Sequence, residues 1–418
     1  MPSVALSHLR PTEPDAPHKV DRGASADATA ACSFAIVRTR AAFEALEAEW
    51  NDLFERAGRG SQVFQTFNWN WHWCHHYLAA PTTGASSLAV VTGRQGGRLV
   101  LVWPLVKEHA AGLTQLTWMG EPVSQYGDVL IEAGCDALAL QRAAWRFIAT
   151  ELAPDVVRLR KVRDDAAIAP LLAELGALST QRLEAPYLDL ASAKDFADYE
   201  QRYSPRSRRN RRRLARRLEE RGLTAMERHR EGTRARDLAV LAISLKREWL
   251  KDRGLISPAL SDPRMAAFFA DIAAAETRPV GCEVYALTCD GEAAAIEIGV
   301  HCKDRIVMHI IVFNLKYEKA GAGVLLFEDT LAKSFDGSRA VFDLLAPGDG
   351  YKLDWADAAT GVTDWALPVS AKGWLYARLH LGLARPAMKR AIEALPMSLR
   401  RALSERLTSV MARVTTSS

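Results

Sequence analysis

The stretch that most constrains the fold is Arg305–Leu331, where RIVMHIIVF runs into NLKYEKAGAGVLLFEDTL. The first nine residues have the composition of a β-strand. Gly321 and Gly323 then stand where an apolar helix begins. With no Cβ at those two positions, backbone N–H groups can come close to a ligand, and the start of a helix favours negative charge. A strand, a small-residue turn and an apolar helix, in that order, suit a pyrophosphate.

A chain of 418 residues allows two or three domains with sizeable cores. Its apolar fraction of 49% and charged fraction of 25% are those of an ordinary soluble protein. A net charge of +4 points to no class of partner, so the clustering of arginines is the informative part. Six scattered cysteines without a C-x-x-C pair are expected to be reduced thiols. No apolar run is long enough to span a bilayer, and MPSVALSHLRPTEPDAPHK lacks the apolar core of a secretory signal. A cytoplasmic protein is the expectation.

Residues 1–31, rich in Pro, Asp, Ala and Ser, are expected to form a disordered tail. Phe34–Val37 then predicts a strand, and Ala41–Arg56 a helix with Phe43, Leu46, Trp50, Leu53 and Phe54 at helical spacing. The aromatic stretch Val63–Leu78 predicts a core helix. His72 and His76 lie four apart on it, but no motif places a third ligand nearby, so no metal is expected. Ser87–Val91 and Arg98–Val106 form a hairpin pattern around Gly93–Gly97, with Pro104 at an edge or an end. Strands at Leu116–Met119, Val156–Leu159 and Tyr187–Leu190, with helices at Gln141–Glu151 and Ala167–Leu175, complete a first α/β unit over 32–200.

The composition then changes. From Gln201 to Arg221 there are ten arginines against two glutamates. Ser204 is a natural N-cap, Pro205 a natural first helical residue and Gly222 a natural C′ residue, so 201–222 predicts a connecting helix. Leu214 and Leu218 are its apolar stripe. Arg206, Arg209 and Arg213 are candidates for phosphate or polyanion contact, because a guanidinium matches phosphate bidentately. A solvated connecting helix is the alternative.

A second unit, over 223–371, opens with a strand (Leu223–Arg230) and two helices (Arg234–Arg253, Asp262–Glu276). Three antiparallel strands follow, Glu283–Thr288, Ala293–Cys302 and Arg305–Phe313, the first two joined at Asp290-Gly291. After the glycine turn come a helix (Gly323–Phe335), a strand (Ala340–Leu345), a short helix (Tyr351–Trp355) and a strand (Thr363–Pro368). The segment 372–418 is helical and basic, suited either to packing on the domain or to peripheral contact with the inner face of a membrane.

The element order of the second unit resembles the GNAT acyltransferase fold. The ordered set FQTFNWNWHW, RLVLVWPLV, GEPVSQYGDVLI, SPRSRRNRRRLARRLEERG, KAGAGVLLFEDTL and FDLLAPGDGYKLDW, spanning Phe64 to Trp355, resembles the CelD-like branch of that superfamily, relatives of the Fem-type peptidyltransferases. The resemblance implies an α/β fold of two tandem GNAT-like units, with mixed, largely antiparallel sheets flanked by helices. It also implies acetyl-CoA or another acyl-CoA as cosubstrate, its pyrophosphate on Gly321, Ala322 and Gly323, with Val312 and Val324 beside it. The acceptor would be an amine of a sugar, an amino acid or an exopolysaccharide precursor. One departure is Glu318, which stands where the Q/R-x-x-G-x-G/A turn has Gln or Arg; a carboxylate repels a pyrophosphate.

In the family an Asp on the fifth strand and a Tyr-Lys pair recur in the stretch matching FDLLAPGDGYK, which implies Asp343, Tyr351 and Lys352 as site residues. Glu297 on the third strand and His309 on the fourth are further acid–base candidates. By the same resemblance Gln125, Tyr126 and Asp128 of the first unit face the acceptor, and Asp128 holds a cationic amine or caps a turn. Two rivals follow. One is a Fem-type transferase using aminoacyl-tRNA, the sole reading in which nucleic acid is a partner; the single helix Arg206–Arg221, in place of a long helical hairpin, counts against it. The other is a non-catalytic scaffold of the same fold at a membrane.

Overall fold

The structure is a computed structural model that describes residues 32–78, 86–110, 112–132, 136–276, 281–337, 339–403 and 406. The expected tail over 1–31, Cys135 and the end of the basic segment lie outside these residues.

The strands of the first half are β1 (Ser33–Val37), β2 (Ser86–Leu88), β3 (Val90–Gln95), β4 (Arg98–Trp103), β5 (Leu105–Ala110), β6 (Leu113–Trp118), β7 (Leu130–Ile131), β8 (Val156–Arg163) and β9 (Leu178–Asp189). Those of the second are β10 (Thr224–His229), β11 (Gly281–Cys289), β12 (Glu292–Cys302), β13 (Arg305–Phe313), β14 (Val341–Asp343) and β15 (Ala358–Pro368). The helices before the arginine-rich segment are α1 (Arg40–Glu44), α2 (Glu47–Ala57), α3 (Phe67–Tyr77), α4 (Ala137–Glu151), α5 (Ala169–Glu174) and α6 (Phe196–Tyr199). From it onward they are α7 (Pro205–Glu219), α8 (Gly232–Asp252), α9 (Pro258–Ser261), α10 (Pro263–Ala274), α11 (Ala322–Ser334), α12 (Gly350–Trp355), α13 (Ala371–Leu375) and α14 (Arg385–Glu393).

Most elements lie within a few residues of their expected places, because their signals are local. Ser204 caps α7 by accepting from the Ser207 N–H, with Pro205 as the first helical residue. Asp290 and Gly291 both have positive φ, 49° and 79°, as the two-residue turn between β11 and β12 requires. Pro104 has a role the hairpin pattern does not show. It sits where the chain leaves the four-stranded sheet β1-β3-β4-β7 for a second sheet that takes β5 and β2. Proline has no N–H to donate, so a corner between two sheets suits it.

The second sheet has eleven strands in the order β10-β11-β12-β13-β14-β9-β15-β8-β6-β5-β2. Its centre has a two-fold pattern. In one half β6 and β8 are parallel and joined through α4; in the other β13 and β14 are parallel and joined through α11. The last strand of each half then crosses over: β9 pairs with β14, β15 pairs with β8, and β9 and β15 pair with each other. The units expected over 32–200 and 223–371 are therefore interlocked, each completed by the other's final strand. Sequence patterning shows only the end of β9, at Tyr187, because its first half has no buried residue and carries little apolar alternation.

The crossing is held by one buried carboxylate. Asp343, at the end of β14, has no solvent exposure. Its Oδ1 accepts from the Tyr126 hydroxyl at 2.7 Å and the Leu345 N–H at 2.9 Å. Its Oδ2 accepts from Arg305 at 2.7 Å and Arg163 at 3.4 Å. Tyr126 and Arg163 come from the first half, Arg305 and Leu345 from the second. Removing Asp343 strands the Arg305 charge, while Arg163 keeps its pair with Asp165; breaking a buried pair in this way costs about 3–5 kcal/mol. Asp343→Ala is expected to lose that much stability in urea unfolding; a change below about 1 kcal/mol would contradict the joint.

Candidate active site

β13 and β14 stay together only over Arg305–Val307 and Val341–Asp343. Beyond that point β13 runs on to Phe313 beside β12, while the segment after β14 turns away through Leu345, which has a φ of 60°. Among the described residues, no strand pairs with the β14-side edge of β13 past Val307. The result is a wedge with Asp343 near its apex and the glycine turn at the far end of β13.

At that end Gly321 has φ 70° and ψ 30°, the left-handed region that suits glycine. A Cβ there would lie 2.7 Å from Leu214 of α7, so the arginine-rich helix packs directly on the turn. A Cβ on Gly323 would lie 3.1 Å from Phe313. The first hydrogen bonds of α11 come from Val324 and Leu325, both to Gly321 O. That leaves the Ala322 and Gly323 amides at the helix N-terminus, ahead of the ladder. Glu318 is drawn off by an ion pair with Arg253, the C-cap residue of α8, which neutralises the carboxylate beside the turn. The donor set therefore fits a pyrophosphate despite the departure at Glu318. The Val312 side chain is buried, so only its main chain could meet a ligand, whereas Val324 is exposed.

Residues of α8 and its C-cap with no motif of their own line the wedge. Lys246 donates to Ile311 O at 3.2 Å, and its ammonium lies 4.6 Å from the Trp249 ring centroid. The Arg253 guanidinium lies 4.4 Å from the Trp249 ring centroid. Lys246, Trp249 and Arg253 share one helix face by their spacing of three and four, the signal that could have singled them out. On α12, Lys352 donates to Leu345 O and Pro347 O, both at 3.1 Å. Burial pushes its pKa down to about 8, against the pull of Asp349. Its neighbour Tyr351 is half-exposed.

His309 sits at a break in the β12–β13 ladder. Ile298 faces Ile310 and Gly299 faces Met308, so His309 is the extra residue of a β-bulge. The bulge turns His309 toward Phe64, Trp69 and Phe269, whose rings lie 5.8, 5.8 and 4.9 Å from the imidazole. Burial pushes its pKa down to about 4, so the ring is neutral at pH 7. Nε2 lies 2.7 Å from Val123 O and so carries the proton, which leaves Nδ1 as an acceptor without a hydrogen-bond partner among the described residues.

The other expected site residues are spread differently. Tyr126 belongs to the Asp343 joint, and the Gln125 amide oxygen accepts from Lys161 at 2.6 Å. Asp128 is buried and accepts from Gln62, Arg59 and the Val129, Ala167 and Ile168 amides. With five donors on two oxygens it ties loops together and has no lone pair free for a substrate amine. Asp343, with four donors, holds the wedge apex. Arg206, Arg209 and Arg213 lie exposed on α7, on a different face from Leu214 and Leu218, which meet the turn and its core. Arg211 is the exception on that helix: it is buried, paired with Glu328, and lies 5.2 and 5.1 Å from the Tyr203 and Trp355 rings. Of the histidines on α3, His76 pairs with Asp271 at 2.8 Å. His75, His76 and Asp271 offer ligand atoms within 4.8 Å of one another, but Asp271 also pairs with Arg236 at 3.3 Å, which favours an ion-pair cluster.

Glu297, on β12, has no exposure and no hydrogen-bond partner for either oxygen among the described residues. Burial pushes its pKa up to about 8, so it is a neutral acid at pH 7. The folded state then binds a proton that the unfolded chain releases near 4.5. The stability this gives is full below that pH and is lost as pH rises through about 8. Glu297→Gln is expected to flatten melting temperature against pH between 5 and 9, removing a slope on the order of 4 kcal/mol. Parallel curves for the two proteins would contradict the burial.

Comparisons with known proteins agree with this architecture. A family model described as an acetyltransferase (GNAT) domain matches residues 205–353. The structure of FemX is similar at a TM-score of 0.54 and 9% identity, covering 80% of this chain and 98% of that one. A tandem GNAT protein from the clavulanic acid biosynthesis pathway is similar at a TM-score of 0.45 and 14% identity, covering 81% and 99%. A conserved protein of unknown function from Bacteroides thetaiotaomicron follows at 0.48 and 11%, covering 79% and 99%. No curated protein matches in sequence. The fold is that of two tandem GNAT-like units, and the domain match falls on the unit that carries the wedge and the glycine turn.

Proposed function

We propose that the chain is an acyl-CoA-dependent N-acyltransferase, with acetyl-CoA as the expected donor and an amine on a sugar, an amino acid or an exopolysaccharide precursor as acceptor, as the CelD-like resemblance suggests. The observation that carries the reading is the wedge itself: a free strand edge with a glycine-opened helix N-terminus at one end and a neutral histidine on a bulge toward the other. Bound there, acyl-CoA supplies an activated thioester carbonyl. The Ala322 and Gly323 amides and the positive end of α11 hold the pyrophosphate. The unpaired edge of β13 offers main-chain groups to an extended, amide-bearing arm. The acceptor nitrogen bonds to the acyl carbon as the carbon–sulfur bond breaks; His309 takes the amine's proton at Nδ1, a buried atom that is reached as the acceptor enters, and Tyr351 supplies a proton to the departing thiolate. Lys352, held by two carbonyls, fixes the loop that forms the far wall.

The test is release of free thiol from acetyl-CoA with a panel of amines, alongside calorimetric binding of acetyl-CoA. His309→Gln is expected to lower kcat by about 10²–10⁴-fold while acetyl-CoA binding stays unchanged. Gly323→Glu is expected to abolish that binding. Wild-type protein that binds no acyl-CoA would overturn the reading, and a fully active His309→Gln would remove the proposed base. The exposed arginines Arg206, Arg209 and Arg213 favour a second reading, a Fem-type transferase using aminoacyl-tRNA. It requires steeply salt-dependent tRNA binding that is lost when the three are replaced by Gln.

A further inference from the structure

The C-terminal segment carries an unusual surface. Nine of the seventeen exposed large apolar side chains among the described residues fall between Val369 and Leu403. The same stretch holds seven Lys or Arg against a single Glu. Five of these nine apolar side chains and five of the seven cations lie on a helical run that starts with α13, continues through a π-helical stretch over Tyr376–Ala384, and passes into α14.

The run is anchored by one face only. Ala377 and Leu381, four apart, are buried with Val156 and Ala366, and Ser370 caps the start of α13 by accepting from Gly373 N–H at 3.1 Å. Two positions out of step with that pair, Leu375, Leu379 and Leu383 are 53%, 50% and 63% exposed, and Trp374 beside them is 51% exposed. Four-residue spacing puts them in one stripe on the side away from the anchor. Arg378 and His380 are exposed next to the stripe, and Met388, Lys389 and Arg390 are exposed on α14. A plain packed helix pair would bury its leucines and leave charge outside. Here the anchor needs only alanine and one leucine, and the larger apolar residues face outward among cations.

We propose that this face is an interfacial membrane anchor, lying on a bilayer that contains anionic lipid. Leu375, Leu379 and Leu383 would enter the acyl boundary, Trp374 would sit at the headgroup level, and Arg378, Lys389 and Arg390 would meet lipid phosphates. Charge complementarity favours a lipid surface over a second copy of the chain, because two such faces together would oppose like charges. No helix among the described residues is long and apolar enough to cross a membrane, so the contact is one of lying on the surface. Each cation near an anionic surface strengthens binding about fivefold, and that part is screened by salt.

The experiment is co-sedimentation of the full chain with vesicles of phosphatidylglycerol and phosphatidylcholine in equal parts, and of phosphatidylcholine alone. Wild type is expected to pellet with the anionic vesicles, at least tenfold more weakly with the neutral ones, and more weakly at 1 M salt. Leu379→Glu with Leu383→Glu should abolish pelleting, and Lys389→Glu with Arg390→Glu should reduce it at least tenfold. All these positions are exposed, and an unchanged circular dichroism melt verifies that the variants fold. Wild type that stays in the supernatant with anionic vesicles overturns the proposal. So does equal pelleting of the Leu379→Glu, Leu383→Glu variant, or a wild-type dimer on gel filtration that this variant dissolves without any vesicle binding.

Discussion

The structure depends on a single buried charge. Asp343 gathers two guanidiniums, a phenol and an amide where the two halves of the large sheet exchange strands. Without it, Arg305 would lose its ion pair in a low-dielectric interior, and Arg163 would be left with its ion pair to Asp165. The same residue ends the short parallel pairing of β13 with β14. It therefore fixes both the joint between the units and the point from which the wedge opens.

Strand exchange also shapes the site. Because β9 lies between β14 and β15, the Gln125–Asp128 loop of the first half is brought against β13 of the second, where Val123 O meets His309. The bulge at His309 reverses the alternation of the strand. Ile310 and Val312 then face the core shared with α8 and α10, while Ile311 packs on the side of α11. One extra residue in one strand thus sets which side chains line which side of the candidate site.

Some of the site is legible in the sequence and some is not. The glycine turn is legible because φ 70° at Gly321 and the close approach of Leu214 both demand a missing Cβ. Tyr351 and Lys352 stand in the short helix that the pattern over Tyr351–Trp355 predicts. Asp128 and Asp343 look like available carboxylates in a sequence, but burial and the count of their donors are tertiary facts. Glu318 looks like a defect in the turn until Arg253, sixty-five residues earlier, is seen beside it. Lys246 and Trp249 carry no motif, and they gain meaning only because α8 crosses the end of β13.

The sequence by itself determined the local pieces: the capped arginine helix from Ser204, the Asp290-Gly291 turn, the strand Arg305–Phe313 and the glycine that starts α11. Each follows from backbone sterics or from the period of apolar residues within one stretch of chain. Only the tertiary structure decided that the two units trade their last strands, that Asp343 is a joint, and that His309 is neutral with one nitrogen lacking a partner among the described residues. Those outcomes rest on pairing between residues up to 217 apart, such as Tyr126 and Asp343, and on exclusion of water. Neither leaves a mark on the neighbouring sequence.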